Sequence, residues 1–182
     1  MLTLFGKKRL TEEKVANVFV NAIQTTIDEG FESVVGLIKD SPEFITKPKI
    51  SEDQSGPFTM IVLAGNLQSI PIYFDGDQDQ RIIEHVLEKF SALYEMDKME
   101  LAKMVGETRK FMAQKNHPSK NTLNAMAKAI FCRYELNAYQ DEYFRGLHAP
   151  NPIFIQRLKE ALECFIWDWK PITEKFKIVQ AD

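Results

Sequence analysis

Three aspartates at alternate positions, Asp75, Asp77 and Asp79, are the first residues whose types and spacing suggest chemistry. Carboxylates spaced in this way begin a calcium-binding loop. Such a loop also needs a glycine at its sixth position and a bidentate glutamate at its twelfth, where this chain has Gln80 and Val86. We therefore regard the aspartates as an incomplete metal site, and favour a turn whose acids cap the following helix.

The other residues that could bind a metal or act as nucleophiles form no familiar pattern. Glu84, His85 and Glu88 lie close together, but no glutamate precedes a histidine by three residues, as in di-iron helical bundles. Cys132 and Cys164 lie in apolar segments and are predicted to be small core residues. The sequence thus predicts no metal site, no catalytic residue and no cofactor, although an enzyme with a dispersed site would leave no linear pattern.

Basic residues are concentrated in one part of the chain. Between Lys98 and Arg133 there are eight basic side chains and two acidic ones, whereas residues 1–96 have nine basic and fifteen acidic ones. A basic helical hairpin could contact an anion or an acidic partner, and a solvated face is the alternative. A net charge of −3 and the lack of a recognition motif argue against nucleic acid. The candidate contact residues are Arg109, Lys110, Lys115 and Lys120.

Aromatic residues near the C-terminus suggest an interface. If the last helix continues to Trp169, Trp167 projects about 200° from Phe165 and lies off the apolar face. Trp167 and Phe176 could then contact a partner or a second copy of the chain. The favoured alternative is that the segment 172–179 folds back and covers Trp167.

Helices are predicted to position all these residues. Apolar residues about four apart predict a helix from Thr11 to Lys39, continuous or broken at Gly30, and further apolar stripes follow. Residues 58–74 fit a buried helix, which we favour, or a β-hairpin that turns at Gly65. Four further helices are predicted to begin near Ile82, after Asp97, near Leu123 and after Asn151. The helix that begins near Leu123 extends to about Arg145, with Gly146 as its C-cap, and the helix after Asn151 extends to Trp169.

This pattern predicts an all-α, single-domain bundle over residues 1–182, with six or seven helices and one candidate loose loop at 41–57. An α+β fold with one hairpin at 58–74 is the alternative. The composition, 45% hydrophobic and 27% charged, is typical of a soluble globular protein. Two cysteines favour the cytoplasm, residues 1–9 do not resemble a signal peptide, and no apolar run is long enough for a membrane span.

Three functional classes are compatible with these features. The leading expectation is a non-enzymatic domain that acts through protein contacts or self-association, because no catalytic pattern is present. A helical domain that binds a small molecule or lipid in a Phe- and Met-lined pocket is the second, and an enzyme with a dispersed site is the third. An unrecorded pocket or interface is expected near the phenylalanines at the ends of elements: Phe5, Phe44, Phe58, Phe74 and Phe176.

Overall fold

The computed structural model describes residues 6–181, which form nine α-helices, two short 3-10 helices and a two-stranded sheet. Six of these α-helices have eleven residues or more, so the predicted all-α bundle is confirmed. In chain order the elements are β1 (Lys8–Thr11), α1 (Glu12–Lys39), α2 (Ser55–Leu67), α3 (Ile70–Tyr73), α4 (Gln78–Leu93), α5 (Lys98–Asn116), α6 (Thr122–Arg133), α7 (Glu142–Leu147), α8 (Pro152–Leu162), α9 (Lys170–Lys175) and β2 (Phe176–Val179).

The ambiguous segment 58–74 is helical, so the β-hairpin alternative is wrong. Nine of the thirteen residues of α2 are buried, which explains why its sequence lacks a clear apolar stripe. Pro71 lies in the first turn of α3, where its missing N–H disrupts no helical hydrogen bond. The turn at Gly65 that a hairpin would need is instead the interior of α2.

Helix α1 runs through Gly30 without a break and packs along α4. The two helices run in the same direction, since Glu12 binds Arg81 near the start of α4 and Gln24 binds Tyr94 at its end. Thr11 is the N-cap of α1, because its side chain accepts a hydrogen bond from the backbone N–H of Lys14. A buried cluster joins α1 to the other long helices.

Helix α6 ends at Arg133, twelve residues before the predicted end near Arg145. Glu135 has a φ of 54°, a left-handed conformation that cannot continue a right-handed helix. A 3-10 helix at Leu136–Tyr139 and α7 follow. Gly146 is not the C-cap, because α7 includes it and ends at Leu147.

The last long helix also ends early. Helix α8 begins after Asn151 as predicted, but it stops at Leu162 and a 3-10 helix follows at Glu163–Phe165. The predicted continuous helix to Trp169 is therefore wrong, and so is the orientation of Trp167 that was calculated from it. Buried Asn66 of α2 stabilises the new path, since its amide donates to the Phe165 carbonyl (2.8 Å) and accepts from the Trp167 N–H (2.8 Å).

Residues 40–54 contain no regular helix, but several of their side chains are part of the core. Phe44, Pro48 and Ile50 are buried, and the N–H of Ile45 donates to the Tyr139 carbonyl at 2.9 Å. The Glu43 carboxylate lies 3.1 Å from Arg157 of α8. These contacts attach the segment to α8 and to the 3-10 helix after α6.

The sheet, which was not predicted, joins the two ends of the described chain. Strands β1 and β2 are parallel, and the register pairs Leu10 with Ile178. Both of these side chains pack partly buried against the core. Phe5, and most of the segment 1–9 used to judge a signal peptide, lie outside the described residues.

Candidate functional site

A cavity of about 620 Å³ lies where α2, α5 and α6 meet the turn after α4. Three methionines line this cavity, which we call the methionine cavity, although they come from three different parts of the chain: Met60 of α2, Met96 of the turn and Met104 of α5. This size is within the range of small-molecule sites, about 300–1,000 Å³. The remaining lining residues are Ser55, Gly56, Pro57, Thr59, Tyr94, Glu107, Thr108 and Arg133.

The first turn of α2 forms one wall of the cavity, and Tyr134 fixes its position. The Tyr134 hydroxyl donates to the Gln54 carbonyl at 2.6 Å and accepts from the Phe58 N–H at 3.2 Å. Burial raises the pKa of Tyr134 to about 12, so the phenol stays neutral at physiological pH and keeps the proton that it donates. This phenol links the start of α2 to the end of α6.

Tyr94 and α5 complete the walls. The Tyr94 hydroxyl donates to Gln24 of α1 at 2.6 Å, and burial raises the pKa of this phenol as well. On α5 the Thr108 hydroxyl donates to the Met104 carbonyl at 2.8 Å, so its hydrogen is already bound within the helix. The cavity therefore offers mainly apolar and polarisable surface, with few free polar groups.

The basic residues of α5 and the following loop lie on the surface. Arg109, Lys110, Lys115 and Lys120 are exposed, and no ion pair involves them among residues 6–181. Lys110 and Lys115 project about 140° apart on α5, given about 3.6 residues per turn. The structure thus brings α5 and α6 together as the expected hairpin, and Lys110 and Lys115 point in different directions from α5.

The aspartates proposed as metal ligands lie at the start of α4. Asp75 and Asp77 are exposed, and Asp79 accepts a hydrogen bond from the N–H of Gln80 at 2.7 Å. His85 lies 3.8 Å from Glu88 on the surface of α4. Within the described residues, no group of three or more His, Cys, Asp or Glu side chains could hold a metal ion.

Neither cysteine lies in an environment that would activate it. Cys132 is half-buried in α6, whereas Cys164 is exposed, contrary to the prediction that it belongs to the core. Partial desolvation raises the pKa of both thiols, and nearby Lys115 and Arg133 only partly offset this for Cys132. Both groups are therefore thiols at neutral pH, which disfavours nucleophilic attack.

The two aromatic interface candidates are half-buried. Trp167 packs edge-on against the rings of Phe19 and Trp169, with centroids 6.1 Å away in each case, and Trp169 is fully buried. Phe176 is the first residue of β2. Phe44, Phe58 and Phe74 are buried, and neither they nor Phe176 line the methionine cavity.

Sequence reasoning missed the residues that line the cavity. Met96 lies in the turn between α4 and α5, where helical periodicity gives no information, and Met104 of α5 is 36% exposed. The high methionine content was the one available signal, and it did not indicate which methionines meet.

Comparisons of the chain with protein-family models, with curated proteins and with solved structures gave no match. Among residues 6–181, no helix has both the length and the apolar composition needed to cross a membrane. The function must therefore be inferred from the geometry of the site itself.

Proposed function

We propose that this protein binds a small, largely apolar molecule in the cavity lined by Met60, Met96 and Met104. The convergence of these three side chains on about 620 Å³ of space is the observation that supports the proposal. Methionine is flexible and polarisable, so a wall of methionines adapts to apolar ligands of different shapes. The raised thiol pKa values and the scattered carboxylates favour a binding role over catalysis.

Titration calorimetry with decanol and decanoate, a neutral and a charged amphiphile of the same chain length, tests this function. We expect saturable binding of at least one of them with a stoichiometry of one. Binding of neither probe would refute the proposal. Native mass spectrometry of the purified protein would further show a retained ligand as added mass.

Two methionines of α5 provide a matched pair of variants. Met104 lines the cavity and is 36% exposed, whereas Met99 on the same helix is 72% exposed and does not line it. Met104→Gln should weaken binding of the probe about fivefold, because a polar amide replaces part of the apolar wall. Met99→Gln should leave the affinity unchanged, and equal effects of the two variants would place the binding site elsewhere.

A second candidate function is self-association through α7. Tyr143 and Leu147 are 69% and 57% exposed and, four residues apart, lie on the same face of this helix. We propose that this apolar face contacts a second copy of the chain. Light scattering should then show a dimer that becomes monomeric in the double variant Tyr143→Asn and Leu147→Gln.

The control for self-association is Ile72→Gln, since Ile72 is 76% exposed on α3, outside the face of α7. This variant should keep the dimer. A wild-type protein that is monomeric at every concentration would contradict self-association.

A further inference from the structure

Two charged residues line the methionine cavity, Arg133 at the end of α6 and Glu107 on α5. No ion pair within 4.0 Å involves either side chain in the part of the chain that the structure describes. By contrast, Arg81 and Arg157 each bind a buried glutamate. Arg133 therefore retains hydrogen-bonding capacity that the fold itself does not use.

The geometry of Arg133 leaves its donors free. Its guanidinium carbon lies 4.2 Å from the centroid of the Phe111 ring, in the range of a cation–π contact. When a guanidinium stacks on an aromatic ring, the N–H groups at its edge remain available for a carboxylate. The Phe111 ring thus restricts the position of the charge before any ligand arrives.

Further positive charge lies near Arg133. The Lys115 ammonium lies 5.5 Å from the centroid of the same Phe111 ring. The amino-terminal end of α2, whose dipole is positive there, forms another wall of the cavity. Glu107 is the opposing charge, so the local balance favours an anion next to Arg133.

We propose that the ligand of the cavity is a small amphiphile with a single carboxylate, whose apolar body contacts the methionines while Arg133 binds the carboxylate. This inference rests on the proposed binding function and adds the charge of the ligand. An exposed guanidinium alone binds a carboxylate weakly in water, so the apolar contacts must supply much of the affinity. The carboxylate then sets the orientation of the ligand and the selectivity for acids over alcohols.

The test compares decanoate with decanol by calorimetry, in the full-length protein at neutral pH. Decanoate should bind about tenfold more tightly, because its carboxylate forms an ion pair with Arg133, whereas the hydroxyl of decanol carries no charge. Added salt should weaken binding of decanoate but not of decanol. Arg133→Gln should remove the preference for decanoate, so that the two probes bind with similar affinity.

Two further substitutions separate a local effect from one of net charge. Lys110→Gln removes one positive charge from an exposed residue of α5 that does not line the cavity, and should not change the preference for decanoate. Glu107→Gln removes the opposing charge and should tighten binding of decanoate about twofold.

The outcomes distinguish the two proposals. Equal binding of decanol and decanoate, or a preference for decanoate that persists in Arg133→Gln, would refute the carboxylate inference and leave the binding function intact. Binding of neither probe would refute both proposals. Equal losses in Arg133→Gln and Lys110→Gln would indicate a general charge effect and would also refute the role of Arg133.

Discussion

Glu12 is a buried carboxylate at the start of α1, held by two side chains of α4. Arg81 donates to both of its oxygens, at 2.8 and 2.9 Å, and the Gln78 amide donates at 3.1 Å. The hydrogen bond from Arg81 is the main reason that the pKa of Glu12 lies below its usual value of 4.5, because it outweighs the opposing effect of burial. The ionised form of Glu12 therefore stabilises the folded protein.

This residue makes stability depend on pH. The pKa of Glu12 is lower in the folded protein than in the unfolded chain. Its contribution to the free energy of unfolding is therefore complete above about pH 4.5, and is lost as the pH falls through the folded pKa. Glu12→Gln should lower the free energy of unfolding by about 1–2 kcal/mol at neutral pH, the loss being limited because Arg81 is partly exposed to water. Urea unfolding at neutral and acidic pH measures both effects.

The neighbouring Glu13 provides the control. It forms an ion pair with Lys89 at 3.4 Å, but its side chain is exposed. Glu13→Gln should lower the free energy of unfolding by less than about 0.5 kcal/mol at neutral pH, because surface ion pairs contribute little to stability. Equal losses in the two variants, or an unchanged acid dependence in Glu12→Gln, would contradict the role assigned to Glu12.

At the scale of elements, two glycines of α1 have different surroundings. A Cβ on Gly30 would lie 2.7 Å from Cζ of Phe165, whereas a Cβ on Gly36 would have no atom within 4 Å. Phe165 cannot easily move away, since it is buried and its ring packs edge-on against Phe58, with centroids 5.0 Å apart. Gly30 therefore permits close packing within a continuous helix, and does not mark its end.

Alanine substitutions test this difference within one helix. Gly30→Ala should destabilise the protein by about 2 kcal/mol through overpacking against Phe165. Gly36→Ala should stabilise it by up to about 1 kcal/mol, because alanine favours the helix and meets no neighbour. Thermal and urea unfolding report both changes, and a stabilising Gly30→Ala would show that the helix and ring can separate at no cost.

Two buried amides determine the paths that follow α6 and α8. Gln140 is fully buried; its amide donates to the Ala149 carbonyl at 2.8 Å, and its oxygen accepts from the N–H of Asn151 at 2.7 Å. Asn66 holds the backbone after α8 through Phe165 and Trp167 in a similar way. Breaking such bonds would leave buried polar groups unpaired, which is costly.

At the scale of the whole molecule, the sheet brings the start of the described chain next to its end. Ile178 of β2 is half-buried and pairs with Leu10, while the neighbouring Lys177 is exposed. The Ile178 carbonyl also accepts a hydrogen bond from Gln78 at 3.4 Å, which links β2 to the buried Glu12. The C-terminal segment is thus part of the folded structure.

Substitutions in β2 measure how much this strand contributes to the free energy of unfolding. Ile178→Ser should lower the free energy of unfolding by about 1 kcal/mol, because it removes half-buried apolar surface. Lys177→Ser, on the exposed face of the same strand, should have almost no effect. The urea midpoint reports the difference; equal midpoints for the two variants would show that the sheet does not stabilise the bundle.

The sequence by itself determined the features that depend on short-range interactions. The helix starts after Asp97 and Asn151 were predicted correctly, because the side chain of each accepts a hydrogen bond from an N–H two or three residues away. The apolar stripe of α1 was also sufficient to predict one amphipathic helix, since its period is local. The helical class of the protein follows from such signals.

Only the tertiary structure decided where α6 and α8 end, how the two chain ends pair, and which side chains meet at the cavity. Asn66 binds Phe165 across 99 residues of sequence, and no local pattern indicates such a partner. Met60, Met96 and Met104 likewise meet only because three separate elements pack together. Periodicity reports which face of a helix is apolar, but the docking of these faces decides which residues form a site.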